Sequence, residues 1–216
     1  MNTLEVDSVT IEFSHRTILS DIYMRFETGF VTGILGRNGT GKSCLLKIIY
    51  GTLNAQYSNV RFNGQALVNA FAHPEKIRYL PQSSFVPKYL PLKKILDIYG
   101  CDLKLLISEF PEFTDDLKKP FRQFSFGQRR LIETFLILKS NSDFVLLDEP
   151  FSYLMPIHVD KFKEIIGAEK KRKGIIITDH MYHDLLDVSD SLYLIYDCKS
   201  HLIKNPDELR LFGYLS

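Results

Sequence analysis

Polar and apolar residues alternate through "LEVDSVTIEF" (4–13) and again through "ILSDIYMRFE" (18–27). That period of two predicts a pair of half-buried strands separated by a turn at residues 14–17. "FVTGIL" (30–35) is apolar throughout and reads as a buried strand, and "GRNGTGKSCLLKIIYG" runs from it as a loop into a helix. "SNVRFNG", closed by Asn63-Gly64, and "KIRYLP" are two more short strands. From residue 83 to about 139 the period becomes helical, in "LKKILDIYG", in "LKLLISEF" and in the helix after Gly127, punctuated by Pro87, Pro91, Pro111 and Pro120. "SDFVLLDEP", "KGIIITDH" and "SDSLYLIYD" then return to short apolar strands with helices between them. Strand–helix alternation of this kind predicts an α/β fold around a parallel sheet, with a helical insertion ahead of "FVLLDE". The basic run "EKKRKG" (169–174) reads as the solvated end of a helix, favoured there by the dipole.

One helix start carries more than periodicity. In "RQFSFGQRRLIETFLIL" (122–138), Ser125 and Gln128 stand at capping-box spacing. The same geometry, left open, is an anion site, because several backbone N–H groups and the positive end of the helix dipole converge there.

Composition narrows the setting without naming a function. The chain has 216 residues, 45% hydrophobic and 25% charged, enough for one large domain with a full core. A formal charge of +1 makes no general case for nucleic acid or an anionic membrane as partner. Cys44, Cys101 and Cys198 share no metal-ligand spacing and fit a reducing compartment. "MNTLEVDSVTIEF" carries Glu5 and Asp7 and no basic region before an apolar one, so no signal peptide is expected. No apolar run reaches membrane-spanning length.

The chemistry sits in two segments. "GRNGTGKS" (36–43) matches G-x-x-x-x-G-K-[ST] in full, after a strand and before a helix. By chance the pattern should arise in about one chain in a hundred of this length. Amides of such a loop cradle phosphates, Lys42 reaches the terminal phosphates and the Ser43 hydroxyl ligates Mg²⁺. "FVLLDE" (144–149) is an apolar strand delivering Asp148 and Glu149 to its carboxyl end, where open α/β sheets bind ligands. Asp148 there suits Mg²⁺, held through its water shell, and Glu149 suits the water that attacks a γ-phosphate.

With these motifs in this order, the chain resembles the nucleotide-binding subunit of an ATP-binding-cassette (ABC) transporter over nearly its whole length. "FSFGQ" (124–128) resembles the family signature LSGGQ, Gln82 in "YLPQSS" the Q-loop glutamine, and His180 in "IIITDH" the switch histidine. Phe13 falls where the family stacks an aromatic on adenine. The resemblance implies one ABC ATPase domain over 1–216, with a RecA-like P-loop core, an antiparallel β edge and a helical subdomain near 83–139. It implies ATP and Mg²⁺ as ligands, with Gly36, Arg37, Asn38, Gly39, Thr40, Gly41, Lys42, Ser43 and Cys44 around the phosphates. Ser43, Gln82 and Asp148 are the implied metal set, and Glu149, His180, Gln82 and Lys42 the implied catalytic set. Ser125, Gly127 and Gln128 would serve the nucleotide of a second subunit, so a homodimer or paired cassette is expected.

It further implies a stand-alone, transport-coupled ATPase on the inner face of the cell membrane, in the cytoplasm, driving a separate transmembrane permease docked near the Q-loop. No nucleic acid partner is expected. The alternatives are a soluble ABC ATPase acting on ribosomes or DNA, and a nucleotide-binding regulatory subunit with weak turnover. Two departures from the family pattern bear on these. Phe126 replaces the first glycine of the signature pair, and Met155 stands where the family's D-loop has Asp.

Overall fold

The protein is described by a computed structural model covering residues 1–180 and 182–214. β1 (Thr3–Phe13) and β2 (Arg16–Glu27) form an antiparallel hairpin with Phe13 opposite Arg16. Its turn is tighter than the pattern suggests, because β2 takes up residues 16 and 17. Only Ser14 and His15 remain, with φ of 48° and 65°, the hand that lets a two-residue turn follow the twist of its strands. β3 (Val31–Leu35) leads through the glycine-rich loop into α1 (Lys42–Tyr50). β4 (Tyr57–Phe62) lies along β1, and Asn63-Gly64 turns it into β5 (Gln65–Ala66), completing a sheet ordered β2-β1-β4-β5.

β6 (Ile77–Leu80) enters a second sheet. The chain then runs irregularly to α2 (Leu92–Tyr99), α3 (Leu103–Glu109) and, after short 3₁₀ turns, α4 (Phe126–Lys139). β7 (Phe144–Asp148), α5 (Pro156–Glu169), β8 (Gly174–Thr178), α6 (Tyr182–Val188), β9 (Ser191–Tyr196), β10 (Lys199–Ile203) and α7 (Glu208–Leu211) follow. The second sheet is ordered β10-β9-β3-β8-β7-β6 and is parallel except for the β9–β10 hairpin at its edge.

Side chains of the parallel strands alternate between two cores, as the pleat requires. Phe144, Leu146 and Ile176 face one core with Leu45, Leu46 and Ile49 of α1 and the buried faces of β1 and β2. Val145, Leu147, Ile175 and Ile177 face the other, with Leu131, Phe135 and Leu138 of α4 and Phe162 and Ile166 of α5. Burial on both faces is why these strands are uniformly apolar. α4 is itself buried over most of its circumference, Arg130 and Glu133 included.

The basic run departs from expectation at one position. Lys173 is fully buried, and its ammonium donates to the carbonyls of Leu138 and Ser140, both at 2.6 Å. The last carbonyls of a helix lack intrahelical donors, and a lysine from the connection between α5 and β8 supplies one for α4.

Candidate functional site

The glycine-rich loop follows the carboxyl end of β3 and is bounded by Gly41, whose φ is 95°. A Cβ there would lie 2.8 Å from Ile18 Cγ2 and 2.9 Å from Leu19 Cδ2, so only glycine lets the loop pass β2 this closely. The loop walls a cavity of about 410 Å³ lined by Phe13, Asn38, Gly39, Thr40, Gly41, Lys42, Ser43, Cys44, Gln82 and Glu149, with Ile18. Phe13 reaches it from the end of the β1–β2 hairpin, with 46% of its surface exposed. Gly36 and Arg37 border a neighbouring recess with Asn38, His180, Tyr182 and Tyr214, and the Arg37 guanidinium donates to Gly213 O at 2.8 Å.

Lys42 is buried, and its Nζ donates to the carbonyls of Gly36 (2.6 Å) and Arg37 (3.2 Å). Burial pulls its pKa below the ordinary lysine value, while Glu149, Asp148 and Asp179 act in the opposite sense. On the far side of Ser43, the Oγ donates to Asp148 Oδ1 at 2.9 Å. Thr178 Oγ1 donates to the same oxygen at 2.9 Å, and Tyr79 donates its phenolic proton to Oδ2 at 3.1 Å. Burial pushes the Asp148 carboxyl up, and these three hydroxyl donors work against it.

Glu149 follows at the end of β7 with φ of +52°, a conformation that turns it away from the line of the strand. The amide nitrogen of Gln82 donates to Ser43 Oγ at 3.1 Å and to Glu149 Oε1 at 3.0 Å, bridging the two. Ser152 Oγ donates to the other Glu149 oxygen at 3.3 Å. The imidazole of His180 stands beside this carboxylate, Nδ1 3.8 Å from Glu149 Oε2 and 3.6 Å from Asp179 Oδ1. Lys42, Ser43, Gln82, Asp148, Glu149 and His180 therefore converge from β3–α1, β6, β7 and β8.

Ser125, Gly127 and Gln128 are elsewhere. They close α4 as a capping box, Gln128 N donating to Ser125 Oγ (3.2 Å) and Ser125 N to Gln128 Oε1 (2.9 Å). None of the three is in the lining of the phosphate-loop cavity. Met155 is the N-cap residue of α5, where it makes no side-chain cap, and is 59% exposed.

Several residues of the site escaped the sequence reading. Arg130, buried on α4, donates to Pro81 O at 2.6 Å, to Asp148 O and to Glu149 O at 2.9 Å. It pins the end of β7 to the start of the Q-loop. Glu133, one turn on, accepts from Ser84 Oγ (2.6 Å) and from the amides of Phe85 (3.0 Å) and Val86 (3.4 Å). Arg130 and Glu133, within a helix whose following residues are nearly all apolar, were the available signal, since buried charges require partners.

The glycine-rich loop with Lys42 and Ser43, Glu149 at the end of β7 and the bridging Gln82 line one cavity, and comparison with known proteins gives the family of the chain. The ABC transporter family profile matches residues 19–152, more than half of the chain. The chain belongs to that family. It is thus an ATP-binding subunit that hydrolyses ATP. It is similar to the lipopolysaccharide export system ATP-binding protein LptB of Haemophilus influenzae, 27% identical over 97% of this chain and 93% of the relative. LptB of Escherichia coli is 26% identical over the same shares of each chain. Among solved structures, an ATP binding subunit of an ABC transporter superposes with a TM-score of 0.84 at 22% identity, covering 98% of this chain and 93% of the other. A nucleotide-free ATP-binding cassette gives 0.76 at 20% identity, covering 99% and 95%. At that identity the likeness speaks for the fold. Among the described residues no helix is long and apolar enough to cross a membrane.

Proposed function

We propose that this chain works as one half of a pair of cassettes that hydrolyse ATP between them and drive a separate transmembrane permease from the cytoplasmic face of the membrane. The observation that carries the proposal is a division within the chain. The phosphate loop, Asp148, Glu149, Gln82 and His180 gather in one place, and the signature residues Ser125, Gly127 and Gln128 cap a helix outside that cavity. In a two-fold pair, a residue set unused in its own subunit can meet the site of the other, and the reverse.

In this reading each group has a role that its position supports. Loop amides and Lys42 bind the phosphates, Phe13 stacks on the adenine, and the signature residues offer Ser125 Oγ and helix-start amides to the partner's γ-phosphate. Ser43, Asp148 and Gln82 present hydroxyl, carboxylate and amide groups, a hard oxygen donor set of the kind Mg²⁺ takes, Gln82 through its amide oxygen once that group turns. Bound there, Mg²⁺ would neutralise phosphate charge. Glu149 takes the proton of the attacking water, and His180 steadies the transferring group from the end of β8. The segment after Gln82, with Tyr89 74% exposed, supplies the surface for the permease.

The test is a mixing experiment. Lys42→Ala damages the phosphate-loop side of a site and Ser125→Arg the signature side, so either variant alone is inactive. Random mixing makes about half of the dimers hybrid, each with both lesions in one site and an intact second site. Turnover should recover toward roughly a quarter of the parent if sites act independently, or one ATP should bind tightly per hybrid if they are coupled. No recovery of either kind in a mixture shown to contain hybrids would overturn the shared-site reading.

A further inference from the structure

Phe126, the departure from the signature pattern, meets the loop that follows Glu149. Phe126, the first residue of α4, and Tyr153, in the loop leaving Glu149, stand edge to face with ring centroids 4.6 Å apart and planes at 81°. The guanidinium of Arg129 lies 5.9 Å from the Phe126 ring centre on the same turn. Beneath the rings is a small cavity of about 110 Å³ walled by Phe126, Tyr153, Gln82, Arg130, Glu149 and Ser152. The rings thus roof the space beside the Glu149 carboxylate.

The loop they touch is a tight one. Glu149 and Tyr153 both have positive φ (52° and 66°), which for residues with a side chain is an unfavourable backbone. Ser152 N donates to Glu149 O at 3.3 Å and Leu154 N to Phe151 O at 3.2 Å, so the segment coils back on itself. α4 grips it at three points. Arg130 holds Glu149 O, and the backbone of Gly127 passes so close to Tyr153 O that an added Cβ would be 2.9 Å from it. The third point is the ring pair.

We propose that Phe126 and Tyr153 act together as a positioning element for Glu149, a strut from the signature helix to the loop that sets the direction of its carboxylate. This rests on the reading of Glu149 as the base. Both rings are largely exposed, Phe126 at 49% and Tyr153 at 74%, so the strut adds little to the core and acts on local geometry. Neither ring lines the phosphate-loop cavity, so nucleotide affinity should be insensitive to it.

The experiment measures steady-state ATP turnover of the purified chain for Phe126→Leu, Tyr153→Ala, the double variant and Tyr153→Phe. An edge-to-face contact of ordinary strength predicts that either single change lowers kcat roughly three- to tenfold with KM for ATP within about twofold. The double variant should be no slower than the slower single one, because the pair is a unit. Tyr153→Phe, which keeps the ring, should retain parental kcat. In a Glu149→Gln background, Tyr153→Ala should leave the residual rate unchanged. The strut is overturned if both single variants keep parental kcat, or if the double loss equals the product of the single losses. It is equally overturned if KM moves instead of kcat, or if Tyr153→Ala still slows Glu149→Gln. Parental turnover in Glu149→Gln alone would overturn the role of Glu149, a separate result read from a separate variant.

Discussion

At the residue scale, neighbouring acids at the end of one strand receive different surroundings. Asp148 continues the strand, is buried, and accepts from three hydroxyl groups. Glu149 leaves the strand through a left-handed residue and faces the cavity. Three hydroxyl donors suit a fixed ligand, and a carboxylate that lines the cavity, held by Gln82 and Ser152, suits a proton acceptor. Glu149→Gln should therefore reduce ATP turnover by at least roughly a hundredfold, the scale of a lost general base, and leave ATP affinity within a few fold. Turnover and equilibrium binding of a fluorescent ATP analogue check the two halves. The residues that carry this chemistry were readable because phosphate loops and strand-end carboxylates use fixed residue types at fixed spacing. Tyr79, Thr178 and Arg130 were not, since each acts through a contact with a residue distant in sequence, and nothing in a phenylalanine-like position such as 79 signals its hydroxyl.

At the element scale, both ends of α4 are closed by side chains. Its start is closed by its own capping box, and its last carbonyls by Lys173. Burial lowers the Lys173 pKa to about 8 from the ordinary lysine value of 10.5. Between those values the unfolded chain holds more protons than the folded one, so this group's contribution to stability rises with pH across that window. The unfolding free energy of the parent minus that of Lys173→Met should increase from pH 8 to pH 10.5 by at most about 3 kcal/mol. Urea unfolding of both proteins at each pH measures it; a falling difference would contradict the assignment. Periodicity found the helix before this lysine but treated the whole basic run as solvated, because local charge pattern is blind to a carbonyl thirty residues away.

The hairpin that carries Phe13 gives a second element-scale expectation. Ser14 and His15 occupy positions that favour Asn-Gly. The double change Ser14→Asn with His15→Gly should stabilise the protein by about 1 kcal/mol, or roughly 2–4 °C in Tm, by thermal scan. The pattern located the hairpin and missed its length by two residues, since both a two-residue and a four-residue turn satisfy the alternation.

At the scale of the whole molecule, three thiols sample three environments. Cys101 is buried, and burial raises its pKa to about 11; Cys44 and Cys198 are partly exposed, Cys44 on the cavity wall. Iodoacetamide at pH 8 should label Cys44 and Cys198 in the native protein and Cys101 only after denaturation. ATP should slow labelling of Cys44, on the wall of the cavity, more than that of Cys198, which lines a recess on another side of the loop, as peptide mass spectrometry would show. Equal protection of both would place the nucleotide elsewhere.

The order of the central sheet has a consequence for how the molecule comes into being. β3, which carries the phosphate loop, is flanked by β8 and β9, pairing Val31 with Ile175 and Thr32 with Ser191. On a ribosome the chain emerges from its first residue at about 5–20 residues per second. β3 is made before β4 to β7, and both its neighbours, β8 and β9, leave the exit tunnel only after those strands. Until then the N–H and C=O groups along both its edges have no native strand partner, and closing so long a span is slow. The nucleotide loop is therefore synthesised well ahead of its own framework, and the strand that carries it is paired only once β8 and β9 have been made.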